Sequence, residues 1–249
     1  VFVILFKMLG EIKNKHSEII DYTFHLGSEK SRHLLIVGHG VMGNKDNPLV
    51  STLAREVANQ GMSTLCFSFT GNGYSEGRFA DCTISKEIED LQYILSYAVE
   101  QGWRPIYAGH NMGAAVGVLS AAIDSRIEFL ISLAGMVETQ EFCRKEFQQA
   151  NQNNRSMWGD PAFPLSDSFV KDMHEIKSIL PRAAGINIPW LLLHGTKDDV
   201  VPPIESQSLI TNFRSTRDLV KIEGADHAFS GEYTNQLIEA VVEWLAKKI

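Results

Sequence analysis

Cysteine is scarce: the chain has three in 249 residues, Cys66, Cys82 and Cys143. An odd, scattered set makes no disulfide framework, and the paired spacings of zinc sites are missing, so the expectation is a reducing cytoplasm, no metal and no cofactor. Basic residues are in deficit: 23 Lys and Arg face 30 Asp and Glu, for a net charge of −7. That balance leaves no basic footprint for nucleic acid and no polybasic membrane patch. Long apolar runs are missing too. Residues 1–8 are apolar but too short to span a bilayer, and they have neither a basic leader nor a small-residue cleavage site; they read as an N-terminal extension, with Met8 an alternative start. Internal repeats and low-complexity linkers are also missing.

What the chain does have is alternation. Apolar runs predict strands at 19–26, 33–38, 62–69, 105–109, 127–134, 189–194 and 218–223, and helices at 48–60, 84–101, 112–124, 203–212 and 232–248. Several strands are continuously apolar, as parallel strands covered on both faces must be. The fold class is therefore α/β, a mostly parallel doubly wound sheet. Leu91, Ile94, Leu95 and Ala98 form one core-facing helical stripe, and Ile238, Val241, Val242 and Leu245 another. Residues 136–186 break the pattern. This stretch is too long for a plain connection and carries Phe142, Phe147, Trp158, Phe163 and Phe169, so it should have structure of its own. The expected division is a core of residues 1–135 and 187–249 with residues 136–186 as an insertion, most of whose aromatics hold it to the body.

The most informative segment is Gly109-His110-Asn111-Met112-Gly113, between the apolar run Pro105-Ile106-Tyr107-Ala108 and the small-residue run Ala114 to Leu119. A strand, a sharp turn and a helix built this way lift the apex side chain above the sheet, and the flanking glycines let strand and helix pass closely. The apex is Asn111, where a serine nucleophile is expected, and a carboxamide has no proton to yield to a base. Downstream come His194-Gly195-Thr196-Lys197-Asp198-Asp199-Val200-Val201-Pro202 and then Gly224-Ala225-Asp226-His227, giving the chain order apex, acid, histidine. Upstream, Gly38-His39-Gly40-Val41-Met42-Gly43 ends an apolar strand with a turn.

On these motifs, together with Asn44-Lys45 and the stretch Phe67 to Gly77, the chain resembles the α/β-hydrolases of the serine esterase type, similar to small acyl, cinnamoyl and feruloyl esterases. The resemblance implies an α/β-hydrolase fold, a helical cap over the site in residues 136–186, and a small-molecule acyl or aromatic acyl ester as substrate; it is compatible with a homodimer. It implies Asn111 at the nucleophile position, Asp198 and His227 as acid and base, and the amides of Val41 and Met112 as the oxyanion hole. Trp158 and Phe163 are the candidate pocket aromatics.

Simpler readings stand beside these. Asp198 is one of two adjacent loop acids, but its setting favours it for orienting a histidine; Asp226 is next to His227, and neighbouring side chains usually diverge. His39 and His110 read as shape and hydrogen-bonding residues, and His16, His25, His33, His174 and His194 show no convergent pattern. The glycines at 38–43 and 71–73 lack the Lys-Ser/Thr ending or the partner acid of nucleotide loops, and those at 71–73 read as a tight turn beside the site mouth. Asn111 itself has three explanations: a natural or engineered change from serine, replacement of an aspartate nucleophile as in dehalogenases and epoxide hydrolases, or a binding protein that kept the pocket. The flanking residues favour the first over the second.

Overall fold

The computed structural model describes residues 10–28, 31–147, 155–212 and 216–249; the apolar start with Met8 lies outside them. The main sheet consists of β3 (Tyr22–His25), β4 (His33–Gly38), β5 (Ser63–Phe67), β6 (Arg104–His110), β7 (Phe129–Leu133), β8 (Trp190–Gly195) and β9 (Arg217–Ile222). Their spatial order is β3-β5-β4-β6-β7-β8-β9. β3 pairs antiparallel with β5 and every other pair is parallel. β1 (Ile12–Lys13) and β2 (Ile19–Ile20) form a separate small ribbon.

The sequence places one strand at 19–26, whereas the structure divides it into β2 and β3. The break falls at Asp21, whose backbone is drawn out of any ladder: its N–H donates to Ser75 Oγ at 2.8 Å and its carbonyl accepts from Ser68 N–H at 2.9 Å.

Strand side chains alternate between two cores, which explains their unbroken apolar runs. Leu34, Ile36, Trp190 and Leu192 point to one side, where α2 (Ile84–Glu100) and α3 (Met112–Ala121) cover the sheet. Leu35, Val37, Leu191 and Leu193 point to the other, under α1 (Pro48–Asn59) and α8 (Tyr233–Lys248). The expected stripe Leu91, Ile94, Leu95 and Ala98 is buried, as are Ile238, Val241 and Leu245, with Val242 at the margin of the second core. Helix starts follow local chemistry: Thr83 accepts the Lys86 N–H at the head of α2, and Asn47 followed by Pro48 opens α1.

Between β7 and β8 lie α4 (Thr139–Phe147), a tight turn at Met157–Gly159, α5 (Asp167–Ile176) and the short α6 (Leu180–Ala183); α7 (Ile204–Asn212) follows β8. Phe142, Phe147, Met157, Phe169 and Met173 are buried in the same core that covers α2 and α3. The chain leaves β4 toward β5 on one side and returns to pair β6 on the other, so the carboxyl ends of β4 and β6 flank a topological switch point, the usual place for a ligand site in an open α/β sheet.

Candidate active site

β6 ends at His110 and α3 begins at Met112, leaving Asn111 alone in the turn with φ 52° and ψ −116°. Positive φ is costly for most side chains, and asparagine tolerates it better than most. The turn is held by backbone bonds: Asn111 N–H donates to Leu133 O at 3.0 Å, and Asn111 O accepts from Ala114 and Met136, each at 3.2 Å. Its glycines are required sterically. A Cβ on Gly109 would lie 2.3 Å from the Gly113 backbone, and one on Gly113 would lie 2.4 Å from the His39 carbonyl.

That second contact brings the loop after β4 against the turn. His39 fixes the loop from inside: its Nδ1–H donates to Gly40 O at 2.8 Å, and its Nε2 accepts the Phe69 N–H at 3.0 Å. Burial pushes this imidazole down to about 4, so it stays neutral and keeps both roles. The Val41 N–H then faces Asn111 Oδ1 at 3.5 Å. Met112 opens α3, where the first amides of a helix have no acceptor within it.

The acid and the base arrive on neighbouring loops because Gly195 lets the end of β8 run close to the β9 exit; a Cβ there would lie 2.4 Å from Ala225 O. His227 Nδ1 is 2.9 Å from Asp198 Oδ2, and His227 Nε2 is 3.1 Å from Asn111 Nδ2. An amide nitrogen only donates, so Nε2 accepts and Nδ1 carries the ring hydrogen, the tautomer of a general base. Burial alone would raise the Asp198 carboxyl. Hydrogen bonds from His194, His227 and the Val201 amide outweigh it and hold Asp198 well below the usual carboxylate range.

Asp226 turns away from its neighbour and accepts the Ser230 N–H at 2.8 Å, while Asp199 is exposed. His110 caps the base loop. Burial, and then the adjacent His227, push it down to about 3, and the neutral ring sits 3.0 Å from the His227 carbonyl, to which Nε2–H donates.

Asn111, His227, Val41, His110 and Trp158 line a cavity of about 260 Å³, closed by Gly40, Gly43, Asn47, Val200 and Ala228. Trp158 is 48% exposed, has φ 45°, donates from Nε1 to Glu146 at 2.9 Å and packs edge-on against Phe147. Phe163 is not among the residues that line this cavity; its ring meets Phe79 edge-on at 4.9 Å.

Three contributors escaped sequence reasoning. Lys145 donates to the carbonyls of Asp199 and Val200 at 2.8 and 3.2 Å, pinning the acid loop to α4, and Glu146 seats Trp158. His194, four residues before Asp198, lies 3.1 Å from the shared carboxylate oxygen. Its only signal was its place in the His-Gly-x-x-Asp motif. The tight turn at 71–73 packs near Asn44, beyond the Val41 loop, where a Cβ on Gly73 would come within 3.0 Å of the Asn44 side chain.

Among the described residues no cluster of His, Cys, Asp and Glu has the arrangement of a metal site, and no helix is long and apolar enough to cross a membrane.

No protein-family model matches the chain. In sequence it is 29% identical over 217 residues to the uncharacterized protein YfhR of Salmonella typhi, covering 83% of this chain and 69% of that one. It is 25% identical over 203 residues to the mitochondrial palmitoyl-protein thioesterase ABHD10 of Homo sapiens, covering 76% and 65%. In structure it is similar to Est1E from Butyrivibrio proteoclasticus with ferulic acid bound, at a TM-score of 0.82, 21% identity and coverage of 95% and 98%. It is also similar to mouse alpha/beta hydrolase domain-containing protein 10, at a TM-score of 0.78, 21% identity and coverage of 98% and 100%. With this strand order, and with these neighbours matched over nearly their whole length, the chain has the α/β-hydrolase fold.

Proposed function

We propose that the site is that of a carboxylic-ester hydrolase working through an acyl-enzyme, with turnover suppressed by Asn111. The observation that carries this reading is the unbroken run Asp198, His227, residue 111, with the bonds at 2.9 and 3.1 Å and the base tautomer they impose. In the serine form, His227 Nε2 takes the hydroxyl proton as the oxygen attacks the ester carbonyl, and Asp198 stabilises the imidazolium. The Val41 and Met112 amides hold the tetrahedral oxyanion. His227 then returns its proton to the leaving alcohol, and water, deprotonated by the same ring, releases the acid.

The carboxamide of Asn111 cannot enter this sequence. Loss of a triad nucleophile costs on the order of 10⁶ in turnover. The half-exposed Trp158 at the cavity, and the ferulic acid bound by the Est1E neighbour, support an acyl or aromatic acyl ester as the substrate class. Residues 136–186 serve in this reading as the cap that brings Trp158 over the site. Three buried free cysteines support a reducing compartment, the cytoplasm.

The deciding experiment is Asn111→Ser assayed on short p-nitrophenyl esters. Hydrolysis should appear or rise by several orders of magnitude and be lost again on adding His227→Ala. A second reading, a non-catalytic binding protein, is favoured by the fit of Asn111 itself, whose amide already meets both His227 and the Val41 N–H. Saturable ligand binding with no turnover after serine is introduced would select it.

A further inference from the structure

We infer that His194 is a positioning residue of this site: it holds the same Asp198 carboxylate oxygen that His227 meets and thereby limits how strongly that oxygen draws a proton onto His227. The catalytic consequence rests on the acyl-transfer reading above; the geometry does not.

His194 is 1% exposed at the end of β8, and both of its ring nitrogens are engaged. Nε2 lies 2.8 Å from the Val201 carbonyl and 3.1 Å from Asp198 Oδ2. A carbonyl only accepts, so Nε2 carries a hydrogen and shares it between the two oxygens. Nδ1 lies 2.7 Å from Ser206 Oγ. Asp198 Oδ2 thus faces two imidazole N–H groups, while Oδ1 accepts the amides of Val200 and Val201 at 3.0 and 2.8 Å.

Each donor fixes the plane of the carboxylate and draws off part of its charge. A carboxylate with one donor fewer is a stronger partner for an imidazolium, so it favours the protonated form of His227, which cannot accept a proton. Other charged or titratable groups approach this centre from the elements around it. His110 reaches it from β6, Lys145 from α4 through the Asp199 and Val200 carbonyls, and Asp226 from the β9 loop, turned toward Ser230. Glu205 on α7 is taken up by the Val137 and Glu138 amides. Among the described side chains, only His194 and His227 donate to the Asp198 carboxylate.

The test is an NMR titration of the histidine rings in the chain as it stands and in His194→Phe and His194→Gln. Phenylalanine keeps a ring and removes the donor; glutamine keeps an N–H donor and an oxygen for Ser206. The midpoint of His227 should rise by about one pH unit in His194→Phe and stay within a few tenths in His194→Gln. An unchanged or lowered midpoint in His194→Phe overturns the inference. Should that variant not fold, the unmutated chain decides: the His194 Nε2–H resonance must follow the His227 titration, and a resonance indifferent to it overturns the inference equally.

In an Asn111→Ser background, His194→Phe should move the acidic limb of the kcat/KM profile upward by the same amount, and His194→Gln should leave that limb in place. If Asn111→Ser has no turnover at all, the esterase reading fails while the titration still decides the role of His194.

Discussion

The Asn111 carboxamide makes with His227 the hydrogen bond that a serine hydroxyl would make: Nδ2 lies 3.1 Å from Nε2, and Oδ1 faces the Val41 N–H at 3.5 Å. The group satisfies its surroundings and offers no nucleophile. Asn111→Asp separates the two ancestries open to such a site. Because a carboxylate attacks an alkyl carbon rather than a carbonyl, an aspartate-type site should open epoxides or release halide in this variant, whereas an esterase-type site should show neither and gain little on esters. Halide release and diol formation, followed over a haloacid and epoxide panel, read the result.

Trp158 and Phe163 should part company on mutation. In an Asn111→Ser background, Trp158→Ala should change the preference between aromatic and alkyl acyl esters at least several-fold with little change in melting temperature, since the ring is half exposed at the cavity. Phe163→Ala loses the edge-on contact with Phe79 and should lower stability by about 1–3 kcal/mol while leaving that preference intact. Thermal melts and paired kcat/KM values check both.

Gly113 should not tolerate a methyl group. Its Cβ would stand 2.4 Å from the His39 carbonyl, so the turn and the Val41 loop must separate. Gly113→Ala should cost about 1–3 kcal/mol in urea unfolding. Gly185→Ala, whose Cβ meets nothing nearer than 3.9 Å, serves as the control and should be close to neutral.

A buried acid behind the site should show itself in pH dependence. Glu87 is 2% exposed with Oε2 unpartnered, and burial, then Asp90 and Asp172, push its carboxyl well above the ordinary 4.5. A raised folded value means that the stability it contributes is full below the unfolded value and is lost as pH rises toward the folded one. Glu87→Gln removes that loss. Between about pH 5 and pH 8 the variant should therefore gain on the parent by at most about 1.4 kcal/mol per pH unit, measured by denaturant unfolding at matched ionic strength.

Much of this molecule was legible without coordinates. β4, β6, β8 and their helices follow from apolar runs and helical stripes, and Asn111, Asp198 and His227 follow from short motifs in a set order, because glycine spacing and hydrophobic period are local properties. The broken ladder at Asp21 was not legible, since Ser68 and Ser75, distant in the chain, draw its backbone away. Only the tertiary structure decided that Trp158 reaches the cavity while Phe163 packs on Phe79, and that His194 and Lys145 brace the acid loop. Each of those outcomes depends on where β8, β9 and the described elements between β7 and β8 come to rest against one another. A side chain's partner there is set by long-range packing, which no spacing along the chain encodes.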